Sequence, residues 1–182
     1  MLQVITFAIE PRTLEDFRSG YETVKTEGLP YIVAVDPSVP GEILGYASAS
    51  QFRGSLEAYK HTVEISLFCH PEHQGKGLGT QLLRTLLQAL RDPVSNAECF
   101  PPGAAEPRVV KQVLVVMAVD ETGKGQGLKL KEFYEREGFT LVSSFLVGHL
   151  AHRIHPADKK KNGHLKQVGF KFGRWYDSTC AF

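Results

Sequence analysis

The sequence predicts an α/β fold, a central and mostly antiparallel sheet flanked by helices. Three observations predict it. Strand-like segments at Tyr31–Val35, Ile43–Ala49 and Thr62–Cys69 follow one another with turn chemistry between the first two. A glycine-rich loop, His70–Gly79, then runs directly into a leucine-striped helix. Further on, Val113–Val119 is a continuous apolar run, the pattern of a strand covered on both faces.

Each element has a local reason. Leu14, Phe17, Tyr21 and Val24 recur at helical spacing, Thr13 and Asp16 resemble a capping box, and Gly28 and Pro30 stop the helix. Asp36-Pro37-Ser38-Val39-Pro40-Gly41 turns the chain between the first two strands and makes them a hairpin. In Thr62–Cys69 the side chains of Val63, Ile65, Leu67 and Cys69 share one face, and Thr62, Glu64, Ser66 and Phe68 share the other. Leu82, Leu83, Leu86, Leu87 and Leu90 form one stripe of the strongest helix, with Arg84, Gln88 and Arg91 facing away. Pro93, Pro101, Pro102 and Pro107 make residues 92–109 a surface loop. Leu130, Phe133 and Tyr134 mark a short helix ending at Gly138, Phe139–Val147 reads as one strand, and His149–Asn162 as a polar loop. Lys166–Phe182 has strand character broken by Gly169 and Gly173.

Composition narrows the function classes. The 182 residues suit one domain, with insertions near 92–109 and 146–162. The 21 basic and 20 acidic residues leave a net charge of +1, which provides no bulk attraction to nucleic acid or to an anionic membrane. No apolar run is long enough to span a bilayer, and the N-terminus lacks a signal-peptide pattern. Three widely spaced cysteines, Cys69, Cys99 and Cys180, read as reduced thiols of a cytoplasmic protein. His149, His152 and His155 recur at intervals of three, but no carboxylate or cysteine is spaced to complete a site, so no metal is expected.

Gln74-Gly75-Lys76-Gly77-Leu78-Gly79 lies between a strand and a helix. Closely spaced glycines let backbone N–H groups converge, and the helix start adds partial positive charge, which suits a phosphate. The spacing fits neither a Walker A loop nor a dinucleotide-binding fingerprint.

Four segments in order carry a more specific signal. Tyr59-Lys60-His61-Thr62-Val63-Glu64 and His70-Pro71-Glu72-His73-Gln74-Gly75-Lys76-Gly77-Leu78-Gly79 resemble the GCN5-related N-acetyltransferase (GNAT) superfamily. Within it they resemble the phosphinothricin and methionine sulfoximine acetyltransferases. Phe133-Tyr134-Glu135-Arg136-Glu137-Gly138-Phe139 is similar to the superfamily's later helix-to-strand motif. Val168-Gly169-Phe170-Lys171-Phe172-Gly173-Arg174-Trp175-Tyr176-Asp177 is similar to the closing signature of the narrower family. Members normally open with a strand and a helix before the segment matching Ile9–Thr13, so the expected fold lacks that first unit.

The resemblance implies an acetyl-CoA-dependent N-acetyltransferase acting on a small amino acid or analogue. It implies that acetyl-CoA lies between the strand Thr62–Cys69 and the run Val113–Val119, its pyrophosphate on Gln74, Gly75, Lys76, Gly77, Leu78 and Gly79. The main chain of Leu67, Phe68 and Cys69 would hold its pantetheine arm, with an N–H at or beside Cys69 facing the oxyanion. Glu64 occupies the general-base position, and the strand pattern independently marks it as a carboxylate opposite the apolar stripe. It precedes Cys69 by about 16 Å of extended strand, which favours proton transfer through water. Tyr134 matches a tyrosine that protonates the departing thiolate, and packing with Phe133 and Leu130 is the competing reading. Gly127 stands where relatives often carry an asparagine that contacts the pantetheine. Arg53 and Tyr59, on the loop before the catalytic strand, suit the acceptor's anionic end. Lys171, Arg174 and Trp175 suit either the acceptor pocket or a homodimer contact. The alternatives are a non-catalytic acyl-CoA-binding relative and an acetyltransferase acting on a protein amine.

Overall fold

The structure is a computed structural model that describes residues 11–54, 56–116, 126–142, 145–149, 163–171 and 174–180. They fall into two units, Thr13–Lys111 and one built mainly on Gln112–Phe182.

In the first unit, Thr13 caps helix α1 (Leu14–Thr26). Its hydroxyl accepts the Asp16 N–H at 3.2 Å, and the Asp16 carboxylate accepts the Thr13 N–H at 2.7 Å. The helix ends in a Schellman motif. The Leu29 N–H reaches the Val24 carbonyl at 3.1 Å and the Gly28 N–H reaches Lys25 at 3.2 Å, with Gly28 at φ +62°. Val24 and Leu29 are buried beside this turn. The expected apolar stripe is buried only at Val24, since Leu14 is 75% and Phe17 39% exposed. Phe17 instead sets its ring edge on Tyr46, 6.2 Å between centroids.

Strands β1 (Tyr31–Val35), β2 (Ile43–Gln51) and β3 (Thr62–Cys69) form an antiparallel meander, close to the expected bounds. Helix α2 (Leu78–Arg91) packs on one face of it. Leu82, Leu83, Leu86, Leu87 and Leu90 are buried, as are Ala47, Ala49, Val63 and Ile65 on the strands. Each such leucine contributes about 1.5–3 kcal/mol by leaving water. Small residues on β2 let the helix come close: a Cβ on Gly45 would stand 3.2 Å from Leu82 Cδ1.

Residues 92–109 correct the expectation of a plain surface loop. They contain a 3-10 turn at Ala97–Cys99, and Asn96, Cys99 and Pro101 are buried. The segment returns to the end of α1, where the Ala105 N–H bonds the Lys25 carbonyl at 3.0 Å and the Arg108 N–H bonds Gly28 at 3.4 Å. Prolines without periodic apolar residues look like a free loop in sequence, yet backbone hydrogen bonding does not need that periodicity.

The second unit holds β4 (Gln112–Val116), with Val113, Leu114 and Val115 buried as an internal run should be. The predicted end of that strand, residues 117–119, lies outside the described residues. Helix α3 (Gln126–Arg136) also ends in a Schellman motif: Phe139 N–H bonds Tyr134 O at 3.0 Å, Gly138 N–H bonds Glu135 O at 3.1 Å, and Gly138 takes φ +90°.

The single strand expected at Phe139–Val147 is two, β5 (Thr140–Val142) and β6 (Phe145–His149). They pair with each other, Val142 opposite Phe145, and β6 also pairs with β4. An apolar run keeps the same composition whether it continues or doubles back, which is why the reversal is not visible in the pattern. The first residues of the insertion expected near 146–162, 146–149, are strand; the rest of it, with His152 and His155, lies outside the described residues. His149 is opposite Gln112 on a strand. Strands β7 (Gly163–Lys171) and β8 (Arg174–Cys180) form a hairpin. Gly169 does not break β7; the register merely shifts between Leu165 and Gly169. Among the described residues no helix is long and apolar enough to cross a membrane.

A Cβ on Gly28 would collide with the Glu106 carbonyl, whereas one on Gly41, at φ +86°, would meet nothing within 4 Å. Gly41→Ala should therefore lose only the left-handed penalty of roughly 1–2 kcal/mol. Gly28→Ala should lose distinctly more, as read by urea denaturation of the two variants side by side.

Candidate active site

Glu64 sits in mid-β3 between Val63 and Ile65, both buried. Alternation along the strand turns its side chain to the face opposite α2, across from Ser50 of β2. The carboxylate is half-buried, and no hydrogen bond or ion pair to it is found among the described residues. Burial pushes its pKa above the ordinary carboxylate value.

The same face carries Ser66, opposite Ser48, and Phe68, opposite Tyr46. The Phe68 ring stacks on Tyr46 at 5.0 Å, and Tyr46 stacks on Tyr31 at 5.7 Å. Phe68 thus contributes its side chain to an aromatic ladder. Leu67 and Cys69 point to the α2 side and are half-buried. Burial raises the Cys69 pKa, so the group remains a thiol at neutral pH.

The loop after β3 is built for open backbone. The His70 N–H bonds Leu44 O at 2.8 Å, a 3-10 turn spans Pro71–His73, and the Gln74 side chain reaches back to Cys69 O at 3.5 Å. Gly75 and Gly77 take φ +74° and +84°, and a Cβ on either would meet nothing within 4 Å. Gly77 is the N-cap of α2 without a side-chain cap, so the amides of Leu78, Gly79 and Thr80 have no intrahelical acceptor. Lys76 is exposed between the two glycines. An anion with several oxygens fits such a cradle.

Arg53 and Tyr59 lie together on the loop joining β2 to β3. The Arg53 guanidinium is 5.5 Å from the Phe52 ring centroid and 5.9 Å from that of Tyr59, with Tyr59 on a 3-10 turn, Glu57–Tyr59. Among the described residues Arg53 alone is a non-glycine with positive φ, at 55°. Gln51 and Arg108, which sequence reasoning missed, anchor this loop. The Gln51 N–H bonds Glu27 Oε2 at 2.9 Å, and its side-chain amide donates to Leu56 O at 3.3 Å. The Arg108 guanidinium donates to Glu27 O and to Gln51 Oε1. No periodicity or motif marks either residue. A groove of about 310 Å³ lined by Glu57, Lys60, His61, Arg108 and Val109 contains none of the catalytic, donor or acceptor residues expected from the sequence.

Tyr134 belongs to the second unit, where it is 4% exposed and packs edge-on against Phe133 and Phe139, at 4.9 and 5.5 Å. Lys171 and Trp175 stand at the turn end of β7–β8, opposite Arg174 and Phe170. Among the described residues no group of metal-binding side chains is found.

Residues 4–106 match the Acetyltransferase (GNAT) family. The chain is 30% identical over 169 residues to an L-methionine sulfoximine/L-methionine sulfone acetyltransferase of Pseudomonas aeruginosa, covering 93% of this chain and 73% of the relative. It is 31% identical over 164 residues to a phosphinothricin N-acetyltransferase of Alcaligenes faecalis, covering 90% of this chain and 61% of that one. A crystal structure of a GNAT superfamily phosphinothricin acetyltransferase from Sinorhizobium meliloti in complex with AcCoA superposes with a TM-score of 0.65 at 26% identity. It covers 96% of this chain and 70% of the other.

The raised pKa of Glu64 has a consequence for stability. Folding strengthens proton binding there, so stability falls as pH rises from the ordinary carboxylate range through the folded pKa. Glu64→Gln removes that cost. The variant should melt above the wild type at neutral pH, with the advantage vanishing at acid pH; calorimetry at several pH values checks it.

Proposed function

Because this chain belongs to the acetyltransferase (GNAT) family, we propose that it transfers the acetyl group of acetyl-CoA to the amine of a small amino acid or analogue. The carrying observation is Glu64, a half-buried carboxylate of raised pKa on the strand that leads into the glycine cradle.

In this reading the open amides from Gln74 to Gly79 hold the pyrophosphate of the donor, and Lys76 adds a positive charge beside it. The main chain from Leu67 to Cys69 runs alongside the pantetheine arm, and an N–H there stabilises the developing oxyanion. Glu64 takes a proton from the acceptor's ammonium, directly or through water, and frees the lone pair that attacks the thioester carbon. A base with a pKa above the usual carboxylate value is better matched to that task near neutrality. As the C–S bond breaks, Tyr134 donates its phenol proton to the departing CoA sulfur, leaving a neutral thiol. The new amide nitrogen releases its second proton to solvent, and the phenol regains one from solvent. Arg53, stacked on Phe52 and Tyr59, receives the acceptor's anionic end. Cys69 takes no covalent part, because burial keeps it a thiol.

A thiol-release assay with L-methionine sulfone, phosphinothricin and a panel of amino acids tests this. Glu64→Gln should lower kcat/KM about 10²–10⁴-fold and abolish the acid limb of the pH profile. In the wild type that limb should lie above the range of an ordinary carboxylate. Tyr134→Phe should lower kcat by about tenfold or more with little change in the KM for acetyl-CoA, whereas Cys69→Ala should stay within about twofold of wild type. Tight acetyl-CoA binding with no transfer to any amine would assign the chain a binding role instead.

A further inference from the structure

The loop between β2 and β3 carries Arg53 in a left-handed conformation that side chains other than glycine, asparagine and aspartate rarely adopt. Such a conformation persists where its surroundings over-determine it. Here they do so at both ends of the loop, through one segment distant in sequence. At the start, the Arg108 guanidinium forks between the Glu27 carbonyl and Gln51 Oε1, and Gln51 passes the restraint on to Leu56 O. At the far end, His61 Nδ1 meets the Val109 carbonyl at 2.7 Å and the Lys111 N–H bonds the His61 carbonyl at 2.9 Å. The Arg108 cluster is half-buried, where hydrogen bonds from a charged group are stronger than at an open surface.

We propose that Arg108 is a positioning residue for the acceptor: it holds the Gln51–His61 loop so that Arg53 stands ready for the substrate's anionic end. This rests on the assignment of Arg53 to the acceptor. A loop already ordered does not have to be ordered when substrate arrives, so the clamp acts on acceptor affinity and leaves donor binding and chemistry alone. Arg108 is suited to this by its planar fork, which serves two oxygens at once; a lysine in its place serves one.

The test is steady-state kinetics with L-methionine sulfone and acetyl-CoA on the full chain, for Arg108→Ala, Arg108→Lys, Arg53→Ala and the Arg53→Ala/Arg108→Ala pair. Arg108→Ala should raise the KM for the acceptor about tenfold, with kcat and the KM for acetyl-CoA within about twofold of wild type. Arg108→Lys should fall between, and it carries the comparison if the alanine variant does not fold by circular dichroism. In the Arg53→Ala background the Arg108 substitution should add nothing, because the clamp acts through Arg53. Arg53→Ala raising the acceptor KM while Arg108→Ala does not overturns the clamp alone. So does full additivity in the double variant, or an equal rise in both KM values. If Arg53→Ala has no effect, the acceptor assignment itself is wrong and this proposal falls with it. Hydrogen exchange gives a readout independent of turnover: amides of residues 52–61 should exchange faster in Arg108→Ala, and unchanged protection overturns the clamp.

Discussion

The pairing of β3 with β2 and the packing of α2 on one face of that pair is the constraint on which the site depends. Val63 and Ile65 are buried while Glu64 between them faces the other way. A shift of one residue would exchange the two sets, pressing Glu64 into the leucines of α2 and exposing the valine and isoleucine. Burying an unpaired carboxylate there costs more than any contact it would make, so the register has one acceptable value. The orientation of the proposed base is thus a by-product of core formation. Its raised pKa comes from burial on that other face.

Turns built on positive φ carry the next level of organisation. Gly28 and Gly138 end their helices with the same pair of hydrogen bonds, and each does so beside a buried apolar contact. Gly75 and Gly77 use the same backbone freedom differently, leaving space where a side chain would stand. Arg53 adopts a similar angle without being glycine, and it is the Gln51, Glu27 and Arg108 hydrogen bonds that surround its loop. Conformational cost is accepted at the closed turns for a stable core and at the open ones for access.

Much of this was legible in the residues. The capping box at Thr13, the bounds of the strand holding Glu64, its two faces and the leucine stripe of α2 all follow from short-range spacing, which local sterics translate directly into structure. The family resemblance rested on motifs of the same short range, and the GNAT match agrees with it. Less legible were the exposure of Leu14 and Phe17, the doubling back between Val142 and Phe145, and the continuation of β7 through Gly169 with a shift of register. In each case the local pattern permits more than one outcome, and the neighbours that decide are remote.

The sequence by itself determined the alternation that presents Glu64, the glycine spacing before α2, and the helix ends at Gly28 and Gly138, because each depends on residues within one turn or one strand. Only the tertiary structure decided that residues 92–109 are tied down, that Arg108 joins Glu27 to Gln51, and that Phe68 spends its ring on Tyr46. Those partners are separated by 81, 57 and 22 positions, and hydrogen bonds or ring contacts across such spans leave no period in the chain. They are selected by which backbone oxygens and aromatic faces the folded core brings within reach.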